Sequence, residues 1–364
     1  QGEDIIHNRN GPREMFADVA QGVLDGAEAA KEMKAQWKEG GFLDCESPDP
    51  NMHLSEDGEH VVNITNDNGT LAHSYVECSM LGYNIVFAQH ATDKDLDIIY
   101  RVEQAMAPEK EMELETLCAS LGLTYTENLN YIIDEARAVD ARNKDKILAD
   151  SKHSPYLNLY PYSSVVSQLI IRRQFKAAYS AENIGHYATT FEQYAQATAP
   201  VRRATDCVDE WQLLDDELGT HYGFSHCEIV ELCEHFNDRE DNITVAERDQ
   251  TQACGVKWAS ENIANKVVDA RIISMTNEKI TVEWNFLNIT IPVETLGDMF
   301  DFKLTNYNSV MVNNKKKIMF IIGQKLKVKV EDFDIATATV TGKVMFGNTK
   351  EADVELEETV TSKM

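Results

Sequence analysis

The spacing of the apolar residues changes once along this chain, near residues 262–266, and this change constrains the fold more than any other feature. Before it, apolar residues recur mostly at helical spacing, whereas residues 267–344 are rich in Val, Ile, Thr and Phe and alternate with polar residues. When apolar residues repeat every second position, their side chains lie on the same face of a strand. The sequence therefore predicts an α+β chain. We predict three segments: a mostly helical part over 1–264, a β-domain over 265–348 and an acidic tail over 349–364.

Helix-breaking residues divide the helical part. Residues 44–69 contain Pro48, Pro50 and Asp57-Gly58 around short β-type runs, which predicts turns and a hairpin. Helical patterns dominate again from about residue 71 to 150. The predicted helices are a surface helix over 14–38, a core helix from Leu71 to Ala91, and a long helix from Ser163 to Tyr179.

The charge balance limits what the chain can bind. It has 61 acidic and 34 basic residues and a formal net charge of −27, which repels a polyanion at long range. Contacts with a nucleic acid must then depend on local basic groups. The clearest basic patch is formed by Lys325, Lys327 and Lys329, which alternate and so share one strand face. An ordinary solvated strand face explains the same pattern equally well.

The cysteines indicate a reducing environment. There are seven of them, and no two are spaced Cys-x-x-Cys, which argues against a disulfide framework or a ribbon-type zinc site. We expect an intracellular location in the cytoplasm, nucleus or mitochondrion. His226, Cys227, Cys233 and His235 lie close in sequence, but their gaps indicate a helix with buried thiols, and we assign no metal there. No apolar run approaches about 18 residues, so no membrane partner is expected.

Two neighbouring segments carry a family resemblance. They are Ile170-Ile-Arg-Arg-Gln-Phe-Lys-Ala-Ala-Tyr-Ser-Ala-Glu-Asn-Ile-Gly-His-Tyr187 and Tyr194-Ala-Gln-Ala-Thr-Ala-Pro-Val-Arg-Arg-Ala-Thr-Asp206. Together they resemble the signature of the ribonuclease II family (the RNB domain), in which a basic helix precedes Tyr-x-His-Phe-Thr-Ser-Pro-Ile-Arg-Arg-Tyr-x-Asp. The order and spacing agree without a gap from residue 170 to 206. The pattern most resembles the C-terminal half of the catalytic subunit of the eukaryotic exosome.

Further segments follow in the family's order. Gly41–Asp49, Val76–Leu81, Tyr100–Val102 and Leu232–Arg239 each resemble a family segment. Residues 266–346 resemble the five-stranded OB-fold barrel that closes the exosome subunit, and such barrels bind single strands through basic and aromatic residues. The resemblance thus implies the mostly helical C-terminal part of an RNB domain followed by an OB-fold barrel.

The resemblance also implies a chemistry. In the family an RNA 3′ end threads a channel, aspartates hold magnesium ions that activate water, and an arginine stabilises charge on the scissile phosphate. Arg202 and Arg203 match the family's phosphate-facing arginine pair, and Tyr194 matches the tyrosine that opens the motif. A guanidinium suits that role because it can bond two phosphate oxygens at once. The candidate RNA-binding residues are Tyr194, Arg172, Arg173, Arg202, Arg203, Lys325, Lys327 and Lys329.

Several positions depart from the family pattern. Its His, Phe, Ser and second Tyr are replaced by Gln196, Ala197, Ala199 and Ala204, and its later His by Glu210. Where the family commonly places an aromatic or leucine side chain near the terminal bases, this chain has Cys45, which offers little stacking area. These changes remove hydrogen-bond donors and aromatic surface, so the resemblance implies no complete catalytic centre.

The family's aspartate cluster lies upstream of the segment that begins at Gly41, so these residues assemble no metal site. Asp93-Lys-Asp-Leu-Asp97 could form a replacement cluster. We favour another interpretation, in which these acidic residues occupy the first turn of a helix and complement its dipole. We therefore expect no cofactor in this chain, and magnesium only if an aspartate cluster precedes Gln1. A start at Gln rather than Met indicates a chain that is processed, trimmed or incomplete.

These observations favour one function and leave two alternatives open. The favoured one is a catalytically inactive ribonuclease II-like protein that binds single-stranded or structured RNA or supports a ribonucleoprotein or RNA-decay assembly with other proteins. The first alternative is a magnesium-dependent, processive 3′-to-5′ exoribonuclease whose aspartates lie upstream or on another chain. The second is a scaffold that contacts only proteins through its acidic surface.

Overall fold

A computed structural model describes most of the chain and shows the predicted mixture of helices and strands. The described residues are 6, 17–45, 49–58, 60–67, 70–151, 162–284, 287–297, 302–305, 308, 310–313 and 318–345. The predicted acidic tail over 349–364 and Lys315-Lys316-Lys317 lie outside them. No helix in these described ranges is long and apolar enough to cross a membrane.

The elements follow one another in a simple order. The first part contains α1 (Ala17–Glu39), β1 (Asp49–Leu54), β2 (Val61–Asp67), α2 (Leu71–Asp93), β3 (Tyr100–Val102), α3 (Pro108–Ser120), α4 (Leu129–Ser151), α5 (Tyr162–Ile171), β4 (Ala178–Ser180), α6 (Ala204–Leu218) and α7 (His226–Asn262). The second part contains β5 (Val267–Met275), β6 (Lys279–Trp284), β7 (Leu287–Pro292), a 3₁₀ helix (Val293–Leu296), β8 (Lys303–Thr305), β9 (Val310–Asn313), β10 (Ile318–Ile321), β11 (Lys325–Asp334) and β12 (Thr339–Val344).

The chain forms two compact units that are not continuous in sequence. The first unit consists of residues 1–44, 68–106 and 174–244, and the second of 45–67, 107–173 and 245–364. The predicted boundary near 262–266 falls between the end of α7 and the start of β5. The unit that contains the β-rich part also contains earlier segments, so the division into 1–264 and 265–348 stays a prediction.

The first unit packs around α1, α2 and α6. Thr70 caps the N-terminus of α2 in a reciprocal arrangement with His73. Gly26 of α1 allows a close approach, since a Cβ there would lie 2.5 Å from the ring of Tyr75 on α2. A buried cluster that includes Phe87, Tyr100, Val102, Ala195 and Ala197 forms part of the core. This core supports the segment that leads into α6.

The second unit contains a closed five-stranded barrel in the order β11-β12-β7-β6-β5. The parallel pairing of β12 with β7 and the antiparallel pairing of β11 with β5 close the sheet on itself. The interior is apolar, and Gly342 is required there because a Cβ would lie 2.7 Å from Val328. The predicted five-stranded barrel is confirmed. Strands β8–β10 form a separate three-stranded sheet, which the sequence did not distinguish from the barrel.

Other predicted elements are also confirmed. The predicted surface helix is α1, which ends before Gly40 and Gly41, the latter with a φ of +99°. The predicted hairpin is the antiparallel pair of β1 and β2. The core helix predicted from Leu71 extends to Asp93.

Two local predictions are wrong. The helix predicted from Ser163 to Tyr179 ends at Ile171, and Tyr179 lies in β4 opposite Arg101 of β3. The side chain of Asn237 both accepts from the amide of Tyr179 (2.8 Å) and donates to its carbonyl (2.9 Å), so tertiary contacts override the helical pattern. The acidic run that starts at Asp93 lies at the C-terminal end of α2 rather than in a first helical turn.

Candidate nucleic-acid interface

A tight turn places the two arginines at the start of α6. The amides of Arg202 and Arg203 both donate to the carbonyl of Ala199, at 3.1 and 3.0 Å. Arg203 is the extended residue that precedes the helix, with φ −120° and ψ 122°. Val201, between Pro200 and the arginines, is fully exposed. The turn therefore projects into solvent.

Asp206 fixes this turn and one of its two arginines. Its carboxylate is completely buried and accepts from the Ala199 amide at 2.7 Å and from Nη2 of Arg203 at 2.8 Å. Nη2 of Arg203 also donates to the hydroxyl of Thr198 at 3.3 Å. Arg203 is thus held against the protein, whereas Arg202 is exposed. No side-chain hydrogen bond or ion pair of Arg202 occurs among the described residues.

Asp209, one turn later on α6, is also fully buried. One of its oxygens accepts from the amide of Ile99 at 2.7 Å, and the other has no hydrogen-bond partner among the described residues. Burial raises the pKa of Asp209 well above its ordinary value, and the nearby Asp206 and Glu210 raise it further. Burial therefore shifts the protonation equilibrium of Asp209 towards the neutral form.

These buried carboxylates do not fit a magnesium site. Mg²⁺ needs ionised oxygen ligands in near-octahedral geometry. The oxygens of Asp206 are bonded to donors of the protein itself, and the raised pKa of Asp209 makes its carboxyl group a poorer anionic ligand. In the described ranges of the chain, no group of three or more His, Cys, Asp or Glu residues could hold a metal ion.

A cavity of about 580 Å³ opens beside the turn. Its walls include both arginines and several apolar side chains: Val201, Arg202, Arg203, Cys207, Trp211 and Phe224. This volume lies within the range of small-ligand sites in proteins. The turn and α6 therefore bring permanent positive charge and aromatic surface to the same cavity.

The wall at Phe224 is held by hydrogen bonds. The side chain of Gln212 accepts from the Phe224 amide at 2.6 Å and donates to its carbonyl at 2.8 Å, and it also donates to the carbonyl of Asp97 at 2.7 Å. Asp215 accepts from the amide of Tyr222 at 2.7 Å. Gly223 is required between them, because a Cβ there would lie 2.6 Å from Oε1 of Gln212.

Tyr194 does not line this cavity. It is buried, with 7% of its surface exposed, and its hydroxyl accepts from the side-chain Nδ2 of Asn84 at 3.2 Å. Its ring packs near His186 and Phe191, both at 5.6 Å between centroids. Burial raises the pKa of Tyr194. The structure therefore places Tyr194 as a support of the segment before the arginine turn.

Arg172 and Arg173 lie in the second unit, after α5. Arg173 donates to the carbonyl of Leu169 at 2.8 Å, and its Nε lies 3.9 Å from the carboxylate of Glu113. Burial lowers the pKa of Arg173. Arg172 is exposed and makes longer contacts, such as 3.4 Å to the carbonyl of Ile273. Of this pair, Arg172 is the more accessible.

The lysine strand face has the predicted geometry. Leu326, Val328 and Val330 of β11 are buried, and the alternate residues Lys325 and Lys327 are exposed while Lys329 is half-buried. Across the strands, Lys327 lies opposite Asp269 and Lys329 opposite Lys343. An acidic residue thus stands within the basic face.

The sequence missed Trp211, Phe224, Asp206 and Gln212 as site residues. The apolar residues of α6, Cys207, Trp211, Leu214 and Leu218, recur at helical spacing and would ordinarily be read as a core stripe. In the structure this stripe is exposed, and the opposite stripe of Thr205, Asp206, Asp209 and Gln212 is buried. The sequence shows both the apolar and the polar stripe, but it does not show which of the two faces the interior of the protein.

Comparison with known proteins gives consistent results. The family model described as the RNB domain matches residues 3–215. Ribonuclease R of Thermotoga maritima is 27% identical over 328 residues, which cover 87% of this chain and 43% of that protein. The chain thus spans less than half the length of this curated relative.

Solved structures show the same fold. The apo form of Mycoplasma genitalium RNase R has a TM-score of 0.76 at 20% identity and covers 90% of this chain and 50% of its own. The same protein in complex with ribose-methylated single-stranded RNA has a TM-score of 0.74 at 19% identity, with the same coverage. Yeast Ssd1, described as a pseudonuclease, has a TM-score of 0.53 at 14% identity and covers 79% of this chain and 35% of its own.

Proposed function

The chain belongs to the RNB-domain family, and on this premise we propose that it is a catalytically inactive, ribonuclease II-like protein that binds RNA. The observation that carries the proposal is the unequal environment of its arginine pair. Arg203 is bonded to buried Asp206, whereas Arg202 is exposed at a cavity and has no side-chain partner among the described residues. Arg202 is therefore the guanidinium left to contact a phosphate.

The departures from the family pattern support the loss of hydrolysis. Gln196, in place of the family histidine, accepts from the hydroxyl of Tyr179 at 3.0 Å. Ala197 is buried in the core of the first unit. Glu210 accepts from the hydroxyl of Tyr83 at 2.9 Å, and burial, together with this bond, raises the pKa of Tyr83 to about 12. These positions now serve packing and internal hydrogen bonds rather than a substrate.

Two further points support RNA as the ligand. The lysines of β11 supply a second basic face on a barrel whose type commonly binds single strands. Solved structures of Mycoplasma genitalium RNase R are complexes with ribose-methylated single-stranded RNA and with double-stranded RNA. We extend this partner to the present chain as a proposal, together with protein partners in a ribonucleoprotein or RNA-decay assembly. A reducing, intracellular location is part of the proposal, and all seven cysteines are free.

Titration of a 5′-labelled single-stranded RNA at several salt concentrations tests the binding. The wild type should bind at low salt and lose affinity as salt rises, with a slope of roughly −0.7 per phosphate contact in a plot of log K against log salt. Arg202→Ala should reduce the slope by about one contact and weaken binding several-fold. Arg248→Ala removes an exposed arginine of α7 that does not line the cavity, and it serves as the matched control. Absence of binding at low salt would favour the protein-only scaffold.

The main competing function is magnesium-dependent 3′-to-5′ exonuclease activity, because a curated relative is a ribonuclease R. Incubation of the same labelled RNA with Mg²⁺ separates the two functions. We expect binding without release of mononucleotides from this chain. Progressive shortening of the RNA from its 3′ end, abolished by Arg202→Ala, would establish the enzyme instead.

A further inference from the structure

The cavity beside Arg202 combines a cationic group with aromatic surface. It is lined by an exposed guanidinium and by two partly exposed aromatic side chains, Trp211 at 51% and Phe224 at 37%. We infer that it is a subsite for one unpaired nucleotide, whose base stacks on Trp211 and Phe224 while its phosphate meets Arg202. This inference deepens the proposed function and rests on it.

Trp211 is exposed although its helix has a buried face available. The inward side of α6 carries Thr205, Asp206, Asp209 and Gln212, and each of the last three bonds a backbone amide or carbonyl elsewhere in the first unit. The helix therefore cannot rotate to bury Trp211 without breaking these bonds, each of which satisfies a buried polar group. The indole is held in contact with solvent at the cavity wall.

The part of the cavity wall at Phe224 is formed before any ligand arrives. Gln212, which is 7% exposed, holds both backbone groups of Phe224, and Gly223 admits no side chain beside it. The segment before it is tied down by Asp215 through Thr220 and Tyr222. A site with preformed aromatic walls loses little conformational entropy on binding, which favours affinity.

The charge of the cavity selects a phosphate-bearing ligand. Arg203 is partly neutralised by Asp206, and Arg202 is left as the source of net positive charge. Both lie at the N-terminal end of α6, a helix of 15 residues, where the helix dipole also favours an anion. Base-aromatic stacking beside a cationic group is the usual arrangement in sites for single strands. An apolar protein side chain would use the aromatic walls but leave the guanidinium without a partner.

Intrinsic fluorescence offers a direct test with a small probe. The chain has four tryptophans: Trp258 stacks on Trp284, Trp37 packs near Phe42 and Phe191, and Trp211 lines the cavity. Tryptophan is excited at a wavelength that the uracil base does not absorb. Under this condition, uridine 5′-monophosphate should quench the tryptophan fluorescence of the wild type in a saturable manner. Trp211→Phe should abolish that quenching. Ribose 5-phosphate, which has the phosphate but no base, should not quench.

Affinity for an oligouridylate provides the second measurement. Trp211→Ala should weaken binding about tenfold, a typical loss for one stacked base, whereas Trp211→Phe should retain it. Leu218→Ala is the matched control, because Leu218 is 64% exposed on the same helix and does not line the cavity. Thermal melting of each variant checks the fold, and a half-exposed side chain should tolerate the change.

The outcomes separate the inference from the proposed function. RNA binding that is equal in wild type and Trp211→Ala, or no quenching by uridine 5′-monophosphate, would overturn the nucleotide subsite and leave RNA binding intact. Absence of quenching by uridine 5′-monophosphate is the result expected if the cavity instead receives an apolar protein side chain. Quenching by the mononucleotide without binding of any RNA at low salt would support the subsite and overturn the proposed function.

Discussion

The arginine turn before helix α6 and strand β11 both present basic groups, but the helix and the strand sort polar and apolar residues in opposite ways. In β11 the buried residues are apolar, Leu326, Val328 and Val330, and the lysines alternate with them on the outside. In α6 the buried residues are polar, and Trp211, Leu214 and Leu218 are 50–64% exposed. The strand follows the ordinary rule of burial, and the helix reverses it.

The reversal is stable because each buried polar side chain of α6 has at least one hydrogen-bond partner, although one oxygen of Asp209 has none among the described residues. Asp206 bonds Ala199 and Arg203, Asp209 bonds Ile99, and Gln212 bonds Phe224. A buried polar group that is hydrogen-bonded costs little, whereas one that loses its partner costs about 1–3 kcal/mol. The barrel therefore depends on apolar burial. Helix α6 combines a buried hydrogen-bond network beside the cavity with two partly buried apolar side chains, Val208 and Leu213, which pack against core clusters.

Removal of Asp206 should have the largest effect on stability. Asp206→Ala leaves the Ala199 amide and the Arg203 guanidinium without their acceptor, so we expect the free energy of unfolding to fall by about 3 kcal/mol. Urea denaturation followed by circular dichroism measures this. Asp206→Asn retains one acceptor oxygen and should lose less. A loss no larger than that of Asp216→Ala, whose side chain is exposed, would show that the network does not hold the turn.

Truncation of apolar residues in the two elements should give opposite results. Val328→Ala removes buried methyl groups from the barrel and should lower the free energy of unfolding by about 2 kcal/mol. Leu214→Ala changes a side chain that is half exposed and should alter it by less than about 0.5 kcal/mol. Equal losses in a urea titration would mean that the apolar stripe of α6 is covered in solution, and the contrast between the two elements would then fail.

The same contrast explains what the sequence could predict. The strands of the barrel were predicted from the alternation of apolar and polar residues, and their closure into five strands from the family resemblance. The helix predicted over 14–38, which is α1, followed from helical spacing before Gly40-Gly41, and the hairpin from turn residues around short β-type runs. Tyr179 was misassigned because its backbone partners, Arg101 and Asn237, are distant in sequence. In strands, a period of two shows which residues share a face, and apolar content shows which face is buried.

The candidate site was predicted only in part for a related reason. The arginine pair was found through its motif, but the sequence did not indicate that Asp206 engages Arg203 and leaves Arg202 exposed. Trp211 lies in an apolar stripe at helical spacing, a pattern typical of core residues, and nothing in that pattern indicates its exposure. A stripe of Asp and Gln opposite an apolar stripe is normally solvated, and only the positions of the amides of Ala199, Ile99 and Phe224 reverse that assignment.

The smallest expected effect is a pH dependence that arises in α6 and not in the barrel. Burial raises the pKa of Asp209 in the folded state, whereas the unfolded chain has an ordinary value near about 3.9. As pH rises above that value, the unfolded state releases a proton that the folded state keeps, so the stability of the wild type falls. Asp209→Asn cannot ionise. The free energy of unfolding of Asp209→Asn minus that of the wild type should therefore increase as pH rises above about 4, when both are measured by urea titration.

Two other variants test whether that slope has the proposed origin. Val328→Ala removes no titratable group, and its difference from the wild type should not change with pH. Hydrogen bonds, with that from Thr220 the largest contributor, lower the pKa of Asp215, so this group stabilises the folded state at neutral pH and loses that contribution as pH falls. The deficit of Asp215→Asn should therefore shrink on acidification. A pH-independent difference for Asp209→Asn would mean that Asp209 is ionised in the folded protein, and the polar inner face of α6 would then contain a charge rather than a neutral carboxyl group.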